Sequence, residues 1–471
     1  MAIKRYIADA DNTITDALKS NLIDSGSLAN MGEADILEVF SIRGQATSSS
    51  LEISRALTKF PVSTIISDRA AGTIPKSGST NFVLRLSNAP HSETTPTKFN
   101  LTVQPISRSW EEGYGLDMEE YKDLGASNWI SSSTGVSWTT EGGDYLTSSN
   151  YNVYFAGGDE DLEVDITDLV EQWIDGTFSN YGVGVHLTAS EENSSRSYYT
   201  KKFFARGSEF YFKRPYVEAR WDSSVSDDRN QFIISSSLLP AEDNLNKIYF
   251  YNKFRGKFVN VPAVGTGSIY VSLYSGSVGP LGSKLDLQGA ATSIEGGYVS
   301  EGIYSASVAI DTSFTTLYDV WHDNAGTEFF TGSAINPVSF NASSDDEDEE
   351  YIIKITNLKS SYSKNEKSQF RMYARTKDWS PNIYTIATSD IENTTINDMY
   401  YKLYRSSDLY EVIPYGTGST NHTKLSYDDK GNYFNFDMSL LQEGYEYTFK
   451  FLIEEYGEFV EQKEEFKFRV D

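Results

Sequence analysis

Residues 165–187 read DITDLVEQWIDGTFSNYGVGVHL, and this stretch decides what kind of domain the first part of the chain forms. Its apolar side chains recur at the spacing of one helix face; they are Ile166, Leu169, Val170 and Trp173. Asp165 precedes this stripe and is predicted to cap the free backbone N–H groups. Gly176 follows the last turn, where it can adopt the left-handed conformation that ends a helix. We therefore predict a short helix that packs its apolar face, led by Trp173, onto a sheet.

Strand-like segments surround this helix and continue through the rest of the chain. Residues 36–42, 82–86 and 99–103 are short runs rich in β-branched and aromatic side chains. Farther on, NKIYFYNKFRGKFVNV is predicted to form a hairpin that turns at Arg255 and Gly256. A stripe with a period of two residues indicates a strand with one buried face; it comprises Tyr447, Phe449, Phe451 and Ile453. The pattern predicts an all-β protein.

Changes in composition divide the chain into three predicted domains, which we expect to be consecutive antiparallel β-sandwiches. They span residues 1–222, 231–341 and 351–471. The first is expected to be jelly-roll-like with one short helix, and the second and third are expected to be Ig-like. The polar residues 223–230 are interpreted as the first linker. Six consecutive acids at 345–350 repel one another and are interpreted as a second, solvated linker, with attraction of calcium as the alternative.

Several segments of the first 222 residues, taken in their order, resemble the DNRLRE-type β-sandwich module, which is also grouped with certain carbohydrate-binding modules. The matching segments are ADADNTI, NMGEADILEVF, LTKFPV, VLRLSNA, SRSWEEGYG, SNWI, VSWTTEGGDY, DITDLVEQWIDG, NYGVGVHL and RPYVEARW. The resemblance implies a jelly-roll-like sandwich that carries one short helix. The sequence departs from a minimal module in a long acidic insert at 113–127, and no sugar-contacting position carries over by residue.

The chain as a whole is similar to large structural proteins of marine tailed bacteriophages, which combine such a module with Ig-like modules. The similarity rests on the opening MAIKRY with ADADNTI, on NMGEADILEVFSI, and on IYSASVAI followed by YDVWH. It implies a non-enzymatic virion protein of the neck, tail, fibre or capsid, synthesised in the host cytoplasm. The expected partners are other virion proteins and further copies of the chain. The alternative is a carbohydrate-binding adhesion module that recognises a host or environmental glycan.

Composition excludes some kinds of site and argues against others. The chain has no cysteine, which excludes disulfides and cysteine-ligated metal centres. Its net charge of −27 disfavours binding to nucleic acid, because a polyanion would be repelled over most of the surface. No run of eighteen apolar residues and no signal-peptide pattern occur, so we expect neither a membrane span nor export.

The sequence offers few candidates for chemistry, and we expect no enzymatic activity and no cofactor. GGDED at 157–161 resembles the active-site loop of cyclic-dinucleotide synthases, but it lies among strands instead of in an α/β setting. Tryptophans 110, 129 and 138 are interpreted as core residues, with stacking on sugars as the alternative. Asp9 and Asp11 form a DxD pattern without the glycine and distal glutamate of an EF-hand. A structural calcium ion at these two aspartates is the candidate metal site, and a polar strand edge or turn is the alternative.

Overall fold

A computed structural model describes residues 2–92, 96–121, 123–195, 198–287, 291–340, 350–377, 379, 383, 393–455 and 457–471. The protein is all-β, with several antiparallel sheets. The chain divides into two compact units. The N-terminal unit comprises residues 2–222 with 418–422, and the C-terminal unit comprises residues 223–417 and 423–471.

The N-terminal unit is built from thirteen strands in the described residues. These are β1 (Ile3–Ile7), β2 (Ala10–Thr15), β3 (Ile36–Arg43), β4 (Leu51–Lys59), β5 (Asn81–Leu86), β6 (Phe99–Pro105), β7 (Ser131–Ser133), β8 (Val136–Ser137), β9 (Tyr151–Phe155), β10 (Leu162–Asp165), β11 (Val183–Leu187), β12 (Tyr198–Phe204) and β13 (Tyr216–Arg220). One sheet has the order β1-β13-β5-β10, and β1 pairs with β13 from Ile3 opposite Arg220 to Ile7 opposite Tyr216. The other has the order β12-β3-β4-β11-β6-β9, with β2 also paired to β4.

The core of the N-terminal unit lies between these two sheets. Phe82 and Leu84 of β5 come from one sheet, and Leu101 and Val103 of β6 come from the other; all four are fully buried in a single cluster. Alternate residues of each strand point inward, as a half-buried antiparallel sheet requires. This arrangement is a β-sandwich.

Three α-helices occur in the described part of this unit, so the expectation of one short helix was wrong. They are α1 (Val62–Ala70), α2 (Thr167–Asp175) and α3 (Ala189–Glu192). Helix α1 begins after Pro61 and buries Val62 and Ile65, one turn apart. The resemblance implies that the segment LTKFPV is a strand. Instead β4 ends at Lys59, and Pro61, whose fixed φ suits a helix start, opens the helix.

Helix α2 is the helix expected from the sequence, with one difference at its start. Leu169, Val170 and Trp173 are buried, and Gly176 ends the helix with a φ of 81°. The N-cap residue is Ile166, not Asp165. The Asp165 carboxylate nevertheless accepts hydrogen bonds from the Thr167 backbone N–H (2.8 Å) and hydroxyl (2.5 Å). Asp165 therefore holds the first helical residue from one position farther out than predicted.

The C-terminal unit contains twenty strands in its described residues. These are β14 (Ile233–Ile234), β15 (Asn246–Tyr251), β16 (Lys253–Phe254), β17 (Lys257–Phe258), β18 (Ile269–Ser275), β19 (Ile294–Ser300), β20 (Ile303–Val308), β21 (Leu317–His322), β22 (Glu328–Thr331), β23 (Val338–Ser339), β24 (Tyr351–Ile355), β25 (Ser361–Tyr362), β26 (Lys367–Thr376), β27 (Met399–Arg405), β28 (Tyr410–Ile413), β29 (Ser426–Asp428), β30 (Gly431–Asp437), β31 (Glu446–Glu455), β32 (Glu458–Glu461) and β33 (Phe466–Val470). The predicted hairpin at Arg255 and Gly256 is confirmed as the β16–β17 pair.

The first part of this unit is one six-stranded sheet, β15-β20-β19-β18-β21-β22, that folds over its own core. Strand β19 pairs with β18 up to Gly296 and with β20 from Gly297 onward, so it passes from one half of the sheet to the other. A Cβ atom at Gly296 would lie 2.5 Å from the Ser305 carbonyl oxygen, so only glycine fits this corner. The two halves meet where the Phe250 ring lies 5.0 Å from that of Phe330.

The second part packs a sheet of order β24-β26-β30-β29 against one of order β25-β33-β31-β27-β28, with β32 paired to β31. Aromatic rings fill the space between them. Phe370 and Phe434 of the first sheet lie 5.3 and 5.2 Å from Phe449 of the second. The predicted inward stripe of β31 is confirmed, since Tyr447, Phe449, Phe451 and Ile453 are all fully buried.

The polar segment 223–230 is not a free linker. Asp227 and Arg229 are buried in the C-terminal unit, and Asp228–Asn230 forms a 3-10 helix. The Tyr427 backbone N–H donates to the carbonyl of Val225 at 2.9 Å. Polar composition suggested solvation, but these charged groups find partners inside the unit. The second linker lies largely outside the described residues, since 341–349 are not among them, and the division into three domains stays a prediction.

Within the described part of the chain, no helix is both long enough and apolar enough to cross a membrane.

Candidate functional site

An open cavity of about 440 Å³ lies on the N-terminal unit. It is formed by the acidic insert at 113–127, which departs from a minimal module, and by residues that flank this insert. We call it the insert pocket; its lining residues are Glu111, Glu112, Gly113, Tyr114, Asp123, Gly125, Ala126 and Thr134. Its volume lies in the range of roughly 300–1,000 Å³ that is typical of ligand clefts. Three of the eight lining residues are carboxylates and one is a tyrosine whose ring stands 81 % exposed.

The floor of the insert pocket is fixed by Asn30, which is fully buried. Its side-chain amide donates to the carbonyls of Glu112 (2.5 Å) and Ser127 (2.8 Å). Its side-chain oxygen accepts from the backbone N–H of Gly115 (3.0 Å). One amide side chain therefore ties both ends of the insert to the 27–33 loop, and the buried backbone groups there are satisfied.

Two glycines allow the insert to approach Asn30 this closely. A Cβ atom at Gly113, where φ is +80°, would lie 2.4 Å from the Asn30 side-chain oxygen. One at Gly115 would lie 1.9 Å from the Asn30 carbonyl oxygen. Any larger residue at either position would displace the insert, so the spacing Gly-Tyr-Gly sets where the Tyr114 ring projects.

The three tryptophans predicted to be core residues lie in or against one hydrophobic cluster of the N-terminal unit, and none of them lines the insert pocket. Trp129 and Trp138 are 6 % and 5 % exposed and form a cluster with Ile14. The Trp138 indole N–H donates to the Asn128 carbonyl at 2.8 Å. Trp110 is half-buried, and its indole N–H donates to the Tyr181 carbonyl at 2.8 Å. The aromatic rings that a ligand could reach are instead Tyr114 and Tyr121, which are 81 % and 68 % exposed.

Beneath the insert pocket, Asp11, Glu112 and Arg206 form a charged cluster. The Glu112 carboxylate accepts from the Arg206 guanidinium at 2.5 and 2.6 Å and from the Asp11 backbone N–H at 2.7 Å. The Asp11 carboxylate accepts from the Arg206 backbone N–H at 2.6 Å. Burial raises the pKa of Asp11 to about 7, and the nearby Glu112 charge adds to this increase. Glu112 is thus neutralised by arginine, which leaves Glu111 and Asp123 as the pocket's other carboxylates.

This cluster gives a pH-dependent contribution to stability. The folded pKa of Asp11 lies above its ordinary value of 3.8, so the folded protein binds this proton more tightly than the unfolded chain. The stability that Asp11 contributes is fully present below pH 3.8, and it is lost as the pH rises through about 7. We expect Asp11→Asn to remove this part of the pH dependence, measured as the unfolding free energy of the N-terminal unit by denaturant titration across that interval.

The matched control for this measurement is Asp9→Asn, since Asp9 is exposed and lies two residues away. Its substitution removes the same charge without entering the buried cluster. If Asp11→Asn and wild type lost stability in parallel as pH rose, the buried carboxyl would not be the group that titrates.

The calcium candidates Asp9 and Asp11 are placed differently from one another. Asp9 is exposed, whereas Asp11 is buried and hydrogen-bonded to Arg206. Among the residues described by the structure, no group of three or more His, Cys, Asp or Glu side chains could hold a metal ion. The structure does not bring Asp9 and Asp11 together with a third acidic ligand in its described part, and the calcium site stays a prediction.

The GGDED segment at 157–161 folds into a self-contained loop. The Glu160 carboxylate accepts from the backbone N–H groups of Ala156 (2.8 Å), Gly157 (2.6 Å) and Gly158 (2.7 Å). Lys201 is fully buried beneath the loop and donates to the Gly158 and Glu160 carbonyls at 3.0 and 2.6 Å. Burial lowers the pKa of this ammonium group to about 8. These contacts give the GGDED residues a structural role in the loop.

The insert pocket presents hydrogen-bond acceptors and exposed aromatic faces. Such a surface suits a ligand that carries cations or hydroxyl groups together with an apolar or stacking face. Sequence reasoning singled out the insert at 113–127 as a departure, yet did not predict a pocket there. The available signal was the pair Gly113 and Gly115, which flank an aromatic residue and follow two glutamates.

No protein-family model matches the sequence, and no curated protein shows a significant match to it. Interpretation of the insert pocket therefore rests on its own residues.

Proposed function

We propose that the protein is a non-enzymatic structural component of a bacteriophage virion, which acts through protein–protein assembly after synthesis in the host cytoplasm. One observation carries the proposal. Large apolar side chains stand almost fully exposed on loops of both units: Ile23 is 80 % exposed, Tyr114 81 % and Val278 91 %.

Such side chains favour contacts between proteins. Aromatic and apolar residues are enriched in the buried cores of interfaces. The acidic surface adds selectivity, because a net charge of −27 opposes nonspecific association and favours partners with basic patches. The similarity to phage structural proteins supplies the biological setting of the proposal.

The test is the composition of purified infectious particles. We expect mass spectrometry to detect this chain at a constant number of copies per particle. Immunogold labelling with an antibody against it is expected to decorate one fixed location. An abundant host cytoplasmic protein serves as the control for carry-over. Absence of the chain from infectious particles, with the host control equally absent, would remove the virion role.

A second candidate function, binding of a glycan, is favoured by the insert pocket itself. The exposed Tyr114 ring can stack on a sugar, while Glu111 and Asp123 can accept hydrogen bonds from its hydroxyl groups. A pure glycan binder would show saturable affinity for one glycan and no self-assembly. A glycan array probed with the full chain distinguishes the two functions. Glycan binding requires a signal for one glycan on the array, whereas assembly into a virion does not require any.

A further inference from the structure

The β16–β17 hairpin is basic and aromatic, in a chain that is otherwise strongly acidic. Its six residues, 253–258, read KFRGKF and contain three cations and no acid. Every residue from 253 to 259 is exposed, and the Phe254 side chain is 63 % exposed. We call this six-residue element the basic hairpin.

The surrounding sequence extends this bias in charge. No aspartate or glutamate occurs between Asp243 and Asp286, although the whole chain has 67 acids in 471 residues. The same interval contains Lys247, Lys284 and the three cations of the hairpin. At the average density of acids in this chain, such an interval would hold several. The basic hairpin therefore projects from a local region without negative charge along the chain.

The cations of the basic hairpin lie over its own rings. The Lys253 ammonium lies 4.6 Å from the centre of the Phe258 ring, and the Arg255 guanidinium lies 5.1 Å from that of Phe254. Within the described residues, no carboxylate forms an ion pair with Lys253, Arg255 or Lys257, whereas many other basic residues have such partners. The positive charge of the hairpin is therefore available to an anionic partner.

The basic hairpin is held in one shape before any partner binds. Arg255 and Gly256 both have positive φ, 51° and 80°, as a tight two-residue hairpin turn requires. At its base, the Asn252 backbone N–H donates to the Gly302 carbonyl at 2.7 Å. The Gly302 N–H in turn donates to the Asn260 side-chain oxygen at 2.7 Å. Such preorganisation lowers the entropy lost on binding.

We propose that the basic hairpin of one chain docks into the insert pocket of a second copy of the same chain. The proposal rests on the assembly function proposed above and names the partner and the two surfaces. Phe254 would enter the cavity beside Tyr114, and the cations would face Glu111 and Asp123 at its rim. Cations on one surface and acceptor-only carboxylates on the other are complementary, as are the exposed rings of both.

Charge explains why this pair of surfaces is suited to self-assembly. Two copies that each carry −27 repel one another in most orientations. Contact between the basic hairpin and an acidic pocket is attractive, so it selects one relative orientation. A single contact of this kind per pair of chains is heterologous and generates a ring or a helical filament, whereas two reciprocal contacts close a two-fold dimer.

The experiment measures the molar mass of the full chain in solution by analytical ultracentrifugation over a series of concentrations. Wild type is expected to form multimers as concentration rises. Reversal of the hairpin charges (K253E, R255E, K257E) is expected to weaken association about tenfold or more, and so is reversal at the pocket rim (E111K, D123K). The variant that carries both sets of substitutions has an acidic hairpin and a basic pocket rim, and it is expected to restore association.

A matched control reverses three exposed lysines elsewhere, K76E, K463E and K467E, which changes the net charge by the same amount as the hairpin variant. It is expected to associate like wild type, and circular dichroism verifies that all variants are folded. Wild type that stays monomeric at every concentration would overturn the proposal. So would a hairpin variant that associates like wild type, or a combined variant that stays monomeric.

This result is separable from the particle experiment. A self-associating chain that is absent from infectious particles would remove the virion role and leave the contact. A chain found in particles that is monomeric in solution at every concentration would remove the contact and leave the virion role.

Discussion

Replacing Asp319 with alanine is expected to lower the free energy of unfolding of the C-terminal unit by about 3–5 kcal/mol. Asp319 is fully buried and accepts two hydrogen bonds from the Arg229 guanidinium, at 2.6 and 2.9 Å. It also accepts one from the Trp321 indole N–H at 2.7 Å. Alanine would leave the buried guanidinium without its closest carboxylate and the indole without an acceptor, which is the costly case for a buried ion pair.

A double substitution separates the value of the ion pair from the penalty of breaking it. Arg229→Met with Asp319→Leu removes both charges together, and we expect it to recover most of the loss. Asp408→Ala is the surface control, because Asp408 pairs with Arg405 at 2.7 Å but its side chain is 47 % exposed. That control is expected to lower stability by less than about 1 kcal/mol.

Hydrogen exchange of the full chain, followed by mass spectrometry, measures these effects, since the amides of each unit report the opening of that unit. The expected result is faster exchange in β15, β18 and β21 of Asp319→Ala, with the N-terminal unit unchanged. Equal protection in Asp319→Ala and Asp408→Ala would show that the buried pair contributes no more than an exposed one.

Trp173→Ala is expected to destabilise the N-terminal unit by about 3–5 kcal/mol, because a large cavity would open in its core. Trp173 is 5 % exposed and belongs to the cluster between the two sheets. Helix α2 is fixed around it: the Ile166 N–H donates to the Phe82 carbonyl at 2.9 Å, and Glu171 accepts from Arg69 of α1 at 2.6 and 2.7 Å. These anchors limit how far the helix can collapse into the cavity.

Two control variants calibrate this result. Tyr154→Ala removes an aromatic ring that is 58 % exposed, and we expect it to change stability by less than about 0.5 kcal/mol. Asp165→Ala removes the carboxylate that binds Thr167, with an expected loss of about 0.5–2 kcal/mol. Denaturation followed by far-ultraviolet circular dichroism measures all three. An unchanged transition in Trp173→Ala, together with lost glycan binding, would identify Trp173 as a binding residue instead of a core residue.

Local patterns in the sequence carried most of the fold that could be predicted. Helix α2, the β16–β17 hairpin and the buried stripe of β31 each depend on side chains a few residues apart, and each is found where the pattern placed it. Helix α1 was missed because Phe60, Pro61 and Val62 extend the apolar run of β4, and an apolar run does not by itself distinguish a strand end from a helix start. The corner in β19 depends on the close approach of Gly296 to Ser305 of β20, a contact between strands.

The candidate site was harder to predict because its determinants are distant in sequence. Asn30 meets Glu112 and Ser127 across more than eighty residues, and no local pattern connects them. Burial of Asp227 and Arg229 was missed for the same reason. A polar segment is expected to be solvated unless its charged groups have buried partners. Asp319, the partner of Arg229, is ninety residues away, so the sequence around Arg229 does not reveal it.

The pairing of the first strand with the last strand of the N-terminal unit has a consequence for synthesis on the ribosome. Ile3 of β1 lies opposite Arg220 of β13, so β1 cannot pair until residue 220 has left the exit tunnel. At about 5–20 residues per second, translation of this part takes roughly 10–45 s. During that time β1 has free N–H and C=O groups, which can pair with another nascent chain. We therefore expect a chaperone to bind the first strand while the rest of the N-terminal unit is translated.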